Sequence, residues 1–174
     1  MGFDLLALAT SFAARAHAGQ MRKDGRTPYI AHPMRVCLAL SIVFNVSDPE
    51  VLAAALLHDT IEDTSADFDD LNSEFGVNVA NLVAAMTKDQ RLPEDERERR
   101  YVAQINQGGW RVQVLKLADI YDNLGDLESL PADKRKNSLR RARFYLSAMK
   151  STLAAEAQAA FEIVRERFAA IEIR

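Results

Sequence analysis

Several things are scarce in this chain, and each scarcity removes a class of protein. Its 174 residues hold one cysteine, Cys37, so no intrachain disulfide frames the fold. Cys37 lies in the apolar run Val36-Cys37-Leu38-Ala39-Leu40 and reads as a small core residue. No apolar run approaches the ~20 residues a membrane-spanning helix needs. The first residues lack a basic stretch, and Asp4 precedes the apolar segment, so they do not read as a signal peptide. Leu6 stands where a myristoylation motif wants Ser or Thr. The seven glycines form no phosphate-cradling loop, which leaves kinase or motor chemistry without support. A formal net charge of −3 argues against general affinity for nucleic acid or an anionic membrane. The expected setting is the cytoplasm, and nothing in the chain fixes an oligomeric state.

What is present is helical. Apolar residues recur at three- and four-residue spacing and no strand ladder is visible, which predicts an all-α fold. The length and the 48% apolar content suit one domain over residues 1–174 with a sizeable core. A first helix is expected from about Phe3 to His17, followed by a turn-rich basic loop from Gly19 to Pro28. A second should hold Pro33 in its first turn and reach about Asn45. Ser47-Asp48-Pro49-Glu50 is a good start for a third, with capping-box spacing. Asp67 should cap a short helix ended by Gly76, and Val77 to Thr87 should form another. Lys88 to Pro93 reads as a loop and Glu94 to Gln107 as a charged helix whose run Glu94–Arg100 is a solvated, internally paired face. Gly108-Gly109 should break the chain before a helix from about Trp110 to Glu128. One or two amphipathic helices should follow Pro131.

The third helix ends in an unusual way. After the apolar run Val51–Leu57 comes His58-Asp59-Thr60-Ile61-Glu62-Asp63, with four ionisable groups in six residues. On a continuous helix His58 would stack over Glu62 and Asp59 over Asp63. Acids at a helix C-terminus work against its dipole, so a purely structural reading has a cost to explain. Adjacent His and Asp suit a metal centre, and the acidic pair beyond suits general acid/base work. A second feature is Asp119, ringed by Leu115, Leu117, Ala118, Ile120 and Tyr121; a carboxylate so placed needs a cation or strong hydrogen bonds. Asn123 lies one turn later on the same face, and Asp122 is expected to face solvent. His32 precedes Pro33 at the end of the basic loop, and taken alone is structural more often than not. His17 reads as a structural or capping histidine. One ion gathered by two His and two Asp would suit Mn²⁺, Fe²⁺ or Co²⁺ better than a closed zinc site. Arg22, Lys23 and Arg26 nearby suggest a phosphate-bearing substrate.

Taken in order, Arg22-Lys23-Asp24-Gly25, Pro28-Tyr29-Ile30-Ala31-His32-Pro33, Leu57-His58-Asp59-Thr60-Ile61-Glu62-Asp63-Thr64, and Lys116-Leu117-Ala118-Asp119 with Asn123 resemble the HD-domain hydrolases of the alarmone ppGpp. The likeness is to the SpoT/Rel hydrolase domain and its stand-alone small relatives, spans roughly residues 3–150, and extends to Met86-Thr87-Lys88. It implies an HD-domain helical bundle and one Mn²⁺ ion held by His32, His58, Asp59 and Asp119. It implies Glu62 and Asp63 as the pair that activates or positions the attacking water. It also implies Arg22 and Lys23 as nucleotide contacts and Asn123 as a ribose-side contact. The implied activity is hydrolysis of (p)ppGpp to GDP or GTP and pyrophosphate, with a small nucleotide as partner and neither nucleic acid nor membrane. Ile120 stands where the family usually carries Arg or Lys, and Gly125 where it carries a basic residue. A phosphohydrolase for another phosphorylated nucleotide and a non-catalytic alarmone-binding module are the two other readings.

Overall fold

A computed structural model of the protein describes residues 2–173. Its first helix, α1 (Gly2–Ala16), buries Ala9 and Ala13 on one stripe, and these small residues let it pack closely on α3 (Pro49–Leu57). Helix α3 starts where Asp48 accepts hydrogen bonds from the backbone N–H groups of Glu50 and Val51, with Pro49 in the first turn. All of Val51 to Leu57 is buried, which makes α3 the axis of the core. Each of its leucines gains roughly 1.5–3 kcal/mol from leaving water. Arg111 braces the start by pairing with Asp48 at 2.7 Å and Glu50 at 2.9 Å.

Between them, α2 (Ala31–Leu38) carries Pro33 in its first turn and continues as a five-residue π-helical segment, Ala39–Val43. The predicted helix reaching Asn45 is thus real in extent but changes winding, and it stops where Asn45 turns left-handed (φ 55°). After α3 comes the short α4 (Thr60–Asp63), then α5 (Phe68–Phe75) and α6 (Val77–Met86). Asp67 caps α5 as expected, with Asp70 completing a reciprocal capping box, and Gly76 ends it at φ 83°.

The second half begins with α7 (Glu94–Gln107) and α8 (Gly109–Gly125). The glycine pair between them is required on both counts. Gly109 sits at φ 70°, and a Cβ on Gly108 would lie 2.6 Å from the Val112 side chain. Helix α8 is nearly as buried as α3 and packs on it, on α2 and on α10 (Gln158–Glu172). It ends at Gly125, short of the expected Glu128, and a 3₁₀ turn over Leu127–Ser129 leads to α9 (Ala132–Met149). Gln113, buried within α8, is satisfied by the Thr152 carbonyl and the Ala154 N–H, so it holds the α9–α10 connection. Among the described residues there is no strand beyond one isolated bridge, Met21 to Pro28. No described helix is long and apolar enough to cross a membrane. Cys37 is only partly buried, and burial pushes its thiol up to about 11.

Candidate active site

The ionisable hexad is not one helix. The chain leaves α3 at Leu57, turns through His58 and Asp59, and starts α4 at Thr60. The Thr60 hydroxyl, fully buried, donates to the Leu57 carbonyl at 2.7 Å and holds this turn. Stacking of His58 over Glu62 on a continuous helix is therefore replaced by a corner. His58 and Asp59 sit on the corner, while Glu62 and Asp63 fall in the first turn of a new helix, where the dipole favours acids. The cost of acids at a helix C-terminus disappears.

The corner aims at α2 and α8. His32 and His58 are each 2% exposed, with ring centroids 5.1 Å apart. His58 Nδ1 lies 2.8 Å from the Ala55 carbonyl, which can only accept, so Nδ1 carries the hydrogen and Nε2 presents its lone pair inward. That Nε2 is buried, has no hydrogen-bond partner among the described residues, and stands 3.1 Å from Asp59 Oδ2. His32 Nδ1 is fixed by Asp122 Oδ2 at 2.7 Å, and its Nε2 lies 3.3 Å from Asp119 Oδ1 and 3.5 Å from Asp59 Oδ2. Ligand atoms of His32, His58 and Asp59 all fall within 4.8 Å of one another. Lone pairs facing lone pairs at such distances need a cation between them. Burial alone would lower the His58 imidazole, but Asp59 outweighs it and pushes the pKa up to about 9. The field that would hold a proton there also attracts a metal ion, and two imidazoles with carboxylate oxygens are a fitting donor set for Mn²⁺, Fe²⁺ or Co²⁺.

Around this centre lies a cavity of about 380 Å³. Glu62 lines it, its carboxylate accepting from the Lys88 backbone N–H at 3.0 Å and the Gln90 side chain at 2.9 Å. Asp63 also lines it, 3.1 Å from the Tyr29 hydroxyl, which lies 2.7 Å from Asp59. Burial raises both Glu62 and Asp63 above the usual carboxylate range, and neighbouring carboxylates add to it. Asp119 goes the other way. Burial opposes its charge, but Lys116, whose ammonium sits 2.7 Å away, holds it well below that range.

The residues to which the family resemblance gives a role all line the same cavity: Arg22, Lys23, His32, His58, Asp59, Glu62, Asp63, Asp119 and Asn123. Arg22 is already engaged, donating to Asp126 Oδ2 at 2.7 Å and Asn123 Oδ1 at 3.2 Å, with its guanidinium 5.4 Å from the Tyr29 ring centroid. Asn123 in turn donates to Asp119. Arg26 does not join them; it is exposed, in a turn built on Asp24. Asp122, expected toward solvent, is buried between His32 and Arg35. The reason is angular: at 100° per residue, three residues on from Asp119 is only about 60° off its direction. The charged α7 run is not wholly solvated. Arg100 pairs with Glu96 outside, but Glu98 turns inward to Lys88 at 2.7 Å and to the Tyr145 hydroxyl. Lys88 and Lys116 both lie over the Tyr101 and Tyr145 rings. With Arg141 they give the cavity a cationic wall that single-sequence reading missed, because it is assembled from the α6–α7 loop, α8 and α9. The only local signal was Lys88 and Lys116 standing beside recognisable motifs.

The chain is similar to known proteins. The HD-domain profile matches residues 9–145. The chain is 46% identical over 118 residues to the guanosine-3′,5′-bis(diphosphate) 3′-pyrophosphohydrolase MESH1 of Danio rerio, an alignment covering 67% of this chain and 66% of that protein. It is 40% identical over 135 residues to the bifunctional (p)ppGpp synthase/hydrolase SpoT of Escherichia coli, covering 74% of this chain but 19% of SpoT. Among solved structures, a metazoan ortholog of SpoT described as hydrolysing ppGpp superposes with a TM-score of 0.80 at 34% identity. That superposition covers 94% of this chain and 95% of the other.

Proposed function

We propose that this chain, which belongs to the HD-domain family, is a Mn²⁺-dependent 3′-pyrophosphohydrolase of ppGpp, with residues 1–174 as one catalytic domain. The observation that carries this is the convergence of His32 Nε2, His58 Nε2 and Asp59, with Asp119 Oδ1 3.3 Å from His32 Nε2, beside the Glu62–Asp63 pair. The relatives' names give the substrate class, and a cationic wall facing an acidic centre suits a nucleotide with two diphosphates. A cytoplasmic setting fits a nucleotide substrate.

His32, His58, Asp59 and Asp119 would hold the ion, which when bound supplies Lewis acidity to a water and a phosphoryl oxygen. Glu62 and Asp63 take the proton of the attacking water at their carboxylates. Attack falls on the phosphorus joined to the ribose 3′ oxygen. That P–O bond breaks, pyrophosphate separates, and the 3′ oxygen receives a proton, leaving GDP. Lys23, Lys88 and Arg141 face the phosphates across the cavity, and Asn123 sits between Arg22 and Asp119 to contact the ribose side. A second reading rests on Ile120, which gives the wall an apolar side chain where the family usually carries a base and suits a less highly charged nucleotide.

Incubating the protein with ppGpp and Mn²⁺ should release intact pyrophosphate and GDP with no early orthophosphate. Chelation should abolish turnover, and Mn²⁺ should restore it better than Mg²⁺, since imidazole ligands disfavour Mg²⁺. Early orthophosphate, or full activity in metal-free protein, refutes this assignment. Inert ppGpp beside a rapidly cleaved alternative nucleotide favours the second reading.

A further inference from the structure

We infer that Asp122, clamped by Arg35, is a positioning residue that sets the metal affinity of the site through His32; this rests on reading His32 as a ligand. Asp122 lies on α8, is nearly buried, and places Oδ2 2.7 Å from His32 Nδ1. Arg35, on α2, holds the same carboxylate with both arms of its fork, Nε to Oδ1 at 2.6 Å and Nη2 to Oδ2 at 3.0 Å. Two anchors from one guanidinium fix the plane of the carboxylate and offset its charge, so Asp122 can stay ionised where it is buried. Being ionised it can only accept, so His32 carries its hydrogen on Nδ1 and is left with a lone pair on Nε2. That lone pair is the one aimed at Asp59 and Asp119.

The two histidines are therefore unequal. His58 is backed by a neutral carbonyl, that of Ala55, and His32 by a carboxylate. A carboxylate partner makes an imidazole the more basic donor and locks its ring direction. Arg35 also reaches Asp126 at 3.1 Å, and Asp126 holds Arg22 at 2.7 Å. A row of alternating charges thus runs from the cavity wall to His32.

The competing explanation is that Asp122 and Arg35 merely bridge α8 to α2. Metal affinity separates the two. Mn²⁺ binding by isothermal titration calorimetry, with a thermal melt of each protein, should be compared for the full chain, Asp122→Asn and Arg35→Ala. Asparagine keeps the volume and one acceptor oxygen but loses the charge. The expected result is a Kd for Mn²⁺ raised about 10–100-fold in Asp122→Asn, a smaller rise in Arg35→Ala, and turnover restored by saturating Mn²⁺. Unchanged Mn²⁺ affinity in a folded Asp122→Asn overturns the inference and leaves the metal reading intact. If Asp122→Asn does not fold, Arg35→Ala and the milder Arg35→Lys decide: an unchanged Kd in either folded protein overturns the inference. Wild-type protein that binds no Mn²⁺ refutes the metal reading itself, and this inference with it.

Discussion

At the scale of single residues, the proposed reaction assigns its proton handling to two carboxylates, and their surroundings set when they can act. Glu62 and Asp63 both hold their protons above their ordinary values near 4.5 and 3.8, mainly because they are partly buried. A base must be deprotonated, so turnover should fall as pH drops through a value above those figures, and plateau above it. The two groups are close neighbours, so the limb belongs to the pair rather than to either acid. Glu62→Gln and Asp63→Asn should each lower kcat by roughly 10²–10⁴-fold, the range for lost acid/base catalysis. Elemental analysis should find metal content near normal in both. Wild-type turnover in both variants would make these acids structural. The sequence exposed this pair, with His58 and Asp59, because ionisable groups after an apolar run are conspicuous. It hid Asp122 and Tyr29, since a polar residue's direction on a buried helix depends on what packs opposite.

Among the elements, the one that matters most is the corner between α3 and α4. Sequence periodicity extends a helix wherever spacing permits, and it carried α3 through Asp63; the break comes from the Thr60 hydroxyl capturing the Leu57 carbonyl. Caps were legible because their chemistry is local: Asp67 and Gly76 bound α5 where expected, while α3 starts one residue beyond the Ser47–Glu50 capping-box spacing, with Asp48 as its cap. The π-helical end of α2 was not, because winding is set by packing against α8. Thr60→Val keeps the shape of the side chain and removes its donor. It should destabilise the protein by about 1–3 kcal/mol, the cost of a buried carbonyl left unpaired. For a domain of this size that is a fall in Tm of roughly 2–12 °C. Mn²⁺ affinity should weaken too, since His58 and Asp59 ride on the turn. A Thr60→Val protein with unchanged Tm and Mn²⁺ affinity would show that packing alone holds the corner.

Across the whole molecule, the charge distribution departs from its sum. A net charge of −3 should repel a polyanionic nucleotide at long range. Yet α9, whose residues Ser138, Arg141, Ala142 and Tyr145 form part of the cavity wall, also carries exposed Lys134, Lys136 and Arg140 outside it. Among the described residues none of these three is ion-paired. Of these, Lys134 lies one turn before Ser138 on the cavity-facing side of α9, whereas Lys136 and Arg140 line a separate groove. Exposed charges act over about 8 Å at physiological salt and farther at low salt, so a charge on the cavity side of α9 can steer an approaching anion. Lys134→Glu should therefore lower kcat/KM at low ionic strength and leave kcat unchanged, because Lys134 does not itself line the cavity. The wild-type kcat/KM should decline with added salt, while the variant's should change little, so that the two converge at high salt. Parallel salt dependences in the two proteins would mean that the acidic surface is already screened at the mouth and that capture depends on Lys23, Lys88 and Arg141 alone.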